Sequence, residues 1–557
     1  MAKNNNNNVQ RALVLQGGGS LGAYEAGVFN ALYYWIKKKK ESSDASREND
    51  DNLFEIVAGT SIGAINAAFL VSHVTKKRKE ENKNISESWE GSAEKLEEFW
   101  KSRLASNVNL SRWWPFSWDE KSWTYTWDML NETNPDIIAT GEAARRYYSA
   151  KEFIINGASN VFSPSLPPRI DSKFFDNFII PNIWYRYDNS RLNETINRSI
   201  KFPIATSIDK KEPRLLAISV DVEEGETVTF DSYVKEKGTD NTRRSEYGDY
   251  KPGVNGKKGT YERTIKYDKG IMPEHIMASA SVPEHYDYTS VPKEYDYTTK
   301  TKEEQQKSID LQNNDLENYS RFWDGGVLSN TPLRELIQSH QDYWTLVENI
   351  IVADSNSSTR SIPDLEVYIV DVWPSVDDYP VPYDLDGIRD RKNDLTYQDK
   401  TPYDEKVANI VSDYYNLTSS LMELARKKGA TKTEIDTILD MQSKSSHRTG
   451  GQRTYRDLVK KKFDITKVIR IERSVDKDDI ANKWCDFSLG TITNLFNQGI
   501  KDALKTLARE IMISKDIQAA YKEVDSFINN VKKQKANNYT LVQSAENVKT
   551  MLPNLKV

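Results

Sequence analysis

Cysteine is almost missing from the 557-residue chain: Cys485 stands alone, so neither an intramolecular disulfide nor a cysteine-built zinc site can form. A reducing, cytoplasmic setting is compatible with this. Histidine is nearly as scarce, with five in all, which leaves few candidates for an imidazole base. Long apolar runs are also missing. The opening MAKNNNNNVQ has no apolar stretch before Ala12, so no secretory signal is expected. The longest apolar stretch, 53–71, carries Glu55 with several Gly and Ala. It reads as strand, turn and helix rather than as a membrane span. An excess of one charge is lacking too: −6 is small for this length and argues against nucleic acid as the main partner.

What is present suggests two or three domains. Residues 1–10 form an Asn-rich tail that is expected to be disordered. Residues 11–16 form a β-prone run that stops at three glycines, and from Leu21 the apolar residues fall at helical spacing. A second strand is expected at Phe54–Ala58, followed by a helix with Ile62, Ile65, Phe69 and Ser72 on one face. Repeated strand–helix units imply an α/β architecture with a largely parallel sheet. Further strands are expected at Arg214–Val220 and Ile350–Ala353, and long helices over 489–537. Stretches at 235–260, 295–320 and 377–405 read as surface insertions. The segment 112–127 is dense in aromatics, including Trp113, Trp114 and Trp118, and suits packing better than contact with a lipid surface.

Three motifs could carry chemistry. Gly17-Gly18-Gly19-Ser20-Leu21-Gly22 lies between a strand and a helix, where backbone N–H groups can cradle negative charge. No Gly-Lys-Ser/Thr follows, so it is not a nucleotide P-loop, and alone it could be a plain turn. Gly59-Thr60-Ser61-Ile62-Gly63 fits G-x-S-x-G with a strand before it and a helix after it, a context that exposes the serine hydroxyl. The competing explanation is a serine that only caps the helix. Asp324-Gly325-Gly326 would read as a turn if it stood alone. A nucleophilic serine needs a base. His73 lies on the same helix, roughly 18 Å along the axis from Ser61, and cannot serve. His275, His285, His340 and His447 remain open.

Taken together and in this order, the motifs resemble those of patatin-like phospholipases. So do the stretches 16–29 (QGGGSLGAYEAGVF) and 274–283 (EHIMASASVP), the latter preceding the aspartate. Asp486-Phe487-Ser488 with Gly499 resembles a subgroup with a C-terminal extension. The resemblance implies a three-layer α/β/α sandwich over residues 11–345, with a mainly helical extension, 346–557, packed on it. It implies a Ser61–Asp324 dyad, with Gly17, Gly18 and Gly19 as the oxyanion loop and Gly22, Gly59, Gly63, Gly325 and Gly326 as supporting glycines. No metal or cofactor is implied. The expected substrate is a phospholipid or other lipid ester, met by peripheral membrane contact. One departure is Leu21, where many members carry Arg or Lys; another is the insertion at 295–320, a lid or a tolerated loop.

An unperturbed aspartate, at about 3.9, is a poor base for a serine. The dyad therefore requires a largely dry site that raises Asp324. Competing expectations are an α/β-hydrolase esterase with a Ser–Asp–His triad through His340 or His447, a binding module of the same fold without turnover, and an acyltransferase.

Overall fold

Alternation along the first strand decides how the layers form. In β1 (Val9–Leu15), Ala12 and Val14 face one apolar cluster while Leu13 and Leu15 face another. The same two-residue alternation recurs in β2 (Ile56–Thr60) and β3 (Arg214–Asp221), as expected of strands covered on both sides. The computed structural model describes residues 9–42, 52–108, 141–164, 187–233, 269–293, 318–353, 362–374, 384–446, 463–534 and 539–555, with short stretches between them. The 112–127 aromatic segment and His447 lie outside the described residues, as do nearly all of 295–320 and most of 235–260.

The other strands of the main sheet are β4 (Glu226–Asp231), β5 (Thr242–Arg244), β6 (Thr289–Pro292), β7 (Tyr319–Asp324), β8 (Asp364–Asp371) and β9 (Ile465–Glu472). Nine described strands thus form one sheet. Its centre, β3-β2-β1-β8-β9, is parallel throughout. Antiparallel strands complete it beside β3.

The helices used below are α1 (Gly22–Ser42), α2 (Ile62–Glu81), α3 (Gly141–Asn156), α4 (Pro273–Ser279), α5 (Leu333–Ala353), α6 (Leu385–Tyr397), α7 (Pro402–Lys427), α8 (Leu489–Ser514), α9 (Ile517–Lys533) and α10 (Tyr539–Met551). The larger cluster holds α1, α2 and α8–α10 against one face of the sheet. Leu333, Leu336 and Trp344 of α5 pack on the other. The result is a three-layer α/β/α sandwich with a helical C-terminal region. No described helix is long and apolar enough to cross a membrane.

Helices α1 and α8 cross at almost bare backbone. A Cβ on Gly27 would lie 1.9 Å from the Phe496 carbonyl oxygen, and one on Gly499 would lie 2.1 Å from that of Tyr24. Two glycines thus let the helices sink together and bury Tyr24, Val28, Phe496 and Ile500.

Several expectations change. Val9 and Gln10, assigned to the tail, already pair in β1. Ile350–Ala353, read as a strand, ends helix α5, and the strand comes later at Asp364–Asp371. A short apolar run has no period with which to tell the two apart. The described part of 377–405 lies largely at the surface, yet it buries Asp390 and Asp394 of α6. The residues after 346 also supply β8 and β9 to the main sheet itself.

One feature of the sheet positions the site. β4 lines one edge of β3 from Leu216 to Asp221. The other edge is shared, β2 taking Arg214 to Ile218 and β7 taking Ser219 to Asp221. β2 runs parallel to β3 and β7 antiparallel, so their C-terminal ends point at each other. Thr60 lies opposite Ile218 and Asp324 opposite Ser219, only one strand residue, ~3.3 Å, apart along the edge.

Candidate active site

Ser61 leaves β2 and enters α2 with φ 57° and ψ −124°. A non-glycine residue held in such a region costs about 1–3 kcal/mol. The surroundings hold it there. Its N–H donates to Ser279 Oγ at 2.9 Å, and that hydroxyl donates to the Ile218 carbonyl. Thr60 Oγ1 donates to the Ser329 carbonyl at 2.9 Å. The flanking glycines make the sharp turn possible. A Cβ on Gly59 would lie 2.2 Å from the Gly63 carbonyl oxygen, and one on Gly63 would lie 2.5 Å from that of Leu15. Ser61 makes no side-chain cap bond to α2, so its hydroxyl is not spent on capping. That removes the capping explanation of the motif.

Asp324 ends β7 and is 4% exposed. Its N–H donates to the Ser281 carbonyl at 2.9 Å, and its Oδ1 accepts the Gly326 N–H at 2.7 Å. Gly325 allows the strand end to close on the elbow, since a Cβ there would lie 2.4 Å from the Ile218 carbonyl oxygen. Burial pushes the Asp324 carboxyl up to about 7, against the opposing effects of the Ser61 hydroxyl and the Gly326 N–H. Asp324 and Ser61 thus interact, yet Oδ2 makes no hydrogen bond of regular geometry among the described residues. We read this as a carboxylate beside the hydroxyl but not locked onto it; resting sites often tighten only when substrate is bound. The Tyr397 phenol is pushed up by burial first and by the Asp324 charge next.

The glycine loop passes over Ser61: a Cβ on Gly17 would lie 3.1 Å from Ser61 Cβ. Gly17 was expected to offer its N–H to an oxyanion, but that N–H goes to the Asn330 carbonyl at 3.3 Å. Its own carbonyl accepts Trp373 Nε1 at 2.7 Å and Asn330 Nδ2 at 3.3 Å. The N–H groups of Gly18 and Gly19 have no acceptor among the described residues. Gly19 has φ 57° and presses on the Trp484 carbonyl, which a Cβ would meet at 2.3 Å. Gly22 opens α1 at a tight contact, where a Cβ would lie 2.6 Å from Ile62. Leu21 is buried in the core, so this position faces apolar packing.

Sequence reasoning missed the residues that hold this loop from behind. Gln16 Nε2 donates to Thr331 Oγ1 at 2.8 Å and to the Tyr397 carbonyl at 3.1 Å, while its Oε1 accepts the Val372 N–H at 2.8 Å. Asn330 Nδ2 also donates to the Tyr397 carbonyl, at 2.7 Å. Ser20 Oγ donates to the Lys483 carbonyl at 2.7 Å. Lys483 is itself buried, with its ammonium 2.6 Å from Asp394, 3.0 Å from Asp390 and 3.3 Å from Asp479. Asp479 also pairs with Arg473, and these cations hold its carboxyl far below the ordinary range. Asn330 lies in the run after Asp324, and Ser279 in 274–283. Trp373, Tyr397 and Lys483 gave no local signal.

The described histidines are occupied elsewhere. His340 Nε2 lies 2.8 Å from the Pro363 carbonyl and packs on Phe463. Its neighbour Ser339 accepts from Arg214, which pairs with Ile56 at the start of β2. That is roughly 16 Å along the strand from Ser61, so a triad through His340 does not form. His73 contacts the Glu90 carbonyl, His285 that of Pro283, and His275 Nδ1 accepts the Met272 N–H.

A family model described as patatin-like phospholipase matches residues 13–337, more than half of the chain. No curated protein matches it.

Proposed function

The chain belongs to the patatin-like phospholipase family, and from that premise we propose that it cleaves carboxylic ester bonds of lipids through an acyl-enzyme, with Ser61 as nucleophile and Asp324 as base. The carrying observation is a buried carboxylate that interacts with the Ser61 hydroxyl, has one oxygen held by the Gly326 N–H, and is pushed by burial up to about 7. A base tuned near neutrality suits proton transfer from a hydroxyl at physiological pH.

In this mechanism Ser61 Oγ attacks the acyl carbon and its proton passes to Asp324. The tetrahedral oxyanion is stabilised by the N–H groups of Gly18 and Gly19, each contributing about 3–4 kcal/mol by analogy with other oxyanion donors. The positive end of α2 points at the same place. Collapse expels the alcohol, which takes the proton from Asp324. Water then attacks the acyl-enzyme, Asp324 accepts its proton and returns it to Ser61, and the fatty acid leaves. In this reading residues 11–345 carry the chemistry. The extension, 346–557, braces the glycine loop through Trp373, Tyr397 and Lys483. The lipid is met at a membrane surface by peripheral contact.

The test is hydrolysis of a short-chain nitrophenyl ester by the full chain, Ser61→Ala and Asp324→Asn. Both variants should lose about 10³-fold or more in kcat. Turnover by folded Asp324→Asn within a few-fold of the parent would remove Asp324 from the mechanism.

A further inference from the structure

Helix α7 has 26 residues and none of them is buried. Its first turn is tethered to the sheet: Arg470 of β9 pairs with Glu405 and, at 2.9 Å, with Asp399. Beyond that tether an apolar seam runs its whole length. Tyr403, Ile410, Leu417 and Leu424 alternate with Val407, Tyr414 and Leu421, always three or four residues apart. Every one is exposed, from 41% at Val407 to 73% at Tyr403.

A strict 3.5-residue period keeps a narrow stripe turned toward one partner helix. A helix packed on its own globular body uses a wider stripe. A helix lying in a lipid interface favours a polar face rich in Lys and Arg. Here Asp404, Glu405, Asp413 and Glu423 offset Lys406, Arg426 and Lys427, so the polar face has no cationic excess. The seam exposes roughly 800 Å² per helix, and two such seams would bury ~1,600 Å², the size of a standard stable interface. A monomer rarely leaves a contiguous apolar patch beyond a few hundred Å² uncovered.

We propose that α7 pairs with the α7 of a second copy of this chain in a two-fold symmetric coiled coil. Val407, Tyr414 and Leu421 form one set of knobs and Tyr403, Ile410, Leu417 and Leu424 the other. The inference does not depend on the chemistry of Ser61.

Sedimentation velocity of the full chain at about 10 μM, well above the dissociation constants usual for interfaces of this size, is expected to give twice the chain mass of 64.0 kDa. Leu417→Asp with Leu421→Asp should halve that mass and leave the far-UV circular dichroism and short-chain ester turnover unchanged. Asn409→Asp with Asn416→Asp adds the same charge off the seam and should remain dimeric. If the aspartate pair disturbs folding, Leu417→Gln with Leu421→Gln should still halve the mass. A parent chain that sediments at 64.0 kDa, or a seam variant that stays dimeric, overturns the proposal. A monomeric parent that co-sediments with phosphatidylcholine vesicles, when the seam variant does not, assigns the face to lipid instead.

Discussion

Asp324→Asn should inactivate the protein and, at alkaline pH, make it more stable. The carboxyl sits at about 7 in the folded chain because burial penalises its ionised form. An unfolded aspartate ionises near 3.9, and moving an acid by roughly three pH units corresponds to about 4 kcal/mol. Between those two values the folded chain keeps a proton that the unfolded chain has released. Stability therefore falls as pH rises through this window and levels off above about 7. Asparagine removes the titration, and its oxygen can still accept the Gly326 N–H. At pH 8 the variant should be more stable by up to about 4 kcal/mol, and at pH 4 the two should nearly coincide. Parent activity should climb close to tenfold per pH unit below about 7 and then flatten. Urea unfolding at both pH values, with ester hydrolysis followed from pH 5 to 9, measures all of this. A stability difference that is the same at pH 4 and pH 8, or a parent rate that is flat from pH 5 upward, would refute the reasoning.

Ser61→Gly should abolish turnover while stabilising the fold by about 1 kcal/mol, because glycine tolerates the φ of 57° that serine holds under strain; thermal melting reads the gain. Gly19→Ala forces a Cβ to within 2.3 Å of the Trp484 carbonyl oxygen, and should lower kcat by about 10²-fold through a displaced oxyanion donor; a kcat within a factor of two of the parent would refute that role. Lys483→Met leaves Asp390, Asp394 and Asp479 without their shared ammonium. Denaturant titration at neutral pH should show a loss of roughly 3–5 kcal/mol.

The opening of the fold was legible because its signals are local. A β-prone run, three glycines and a helical apolar period identify β1 and α1, and the same order identifies β2, the elbow and α2. Asp324 was legible only in company, since an Asp-Gly-Gly turn has no meaning without the first two motifs. What could not be read is long-range. Trp373 reaches the Gly17 carbonyl, and Ser20 reaches Lys483, across hundreds of intervening residues. No periodicity records such bonds. The commitment of the Gly17 N–H to Asn330 is of the same kind: the glycines look equivalent in sequence, and only the path of the loop separates the first from the next two. Asp390 and Asp394 are buried within a polar stretch that is otherwise largely at the surface. Three carboxylates around one ammonium look like solvated charge until the chain brings them together.

The shared edge of β3 makes alignment itself a functional quantity. If β7 slid by one residue, Asp324 would move by about 3.3 Å and turn to the opposite side of the sheet, while helix content and most of the core stayed as they are. Removing one residue from Tyr319–Phe322 should therefore yield a chain with nearly unchanged far-UV circular dichroism that cleaves nothing. Conversely, the return of ester cleavage during refolding would time the moment when β7 finds its correct offset, an event that circular dichroism would not see.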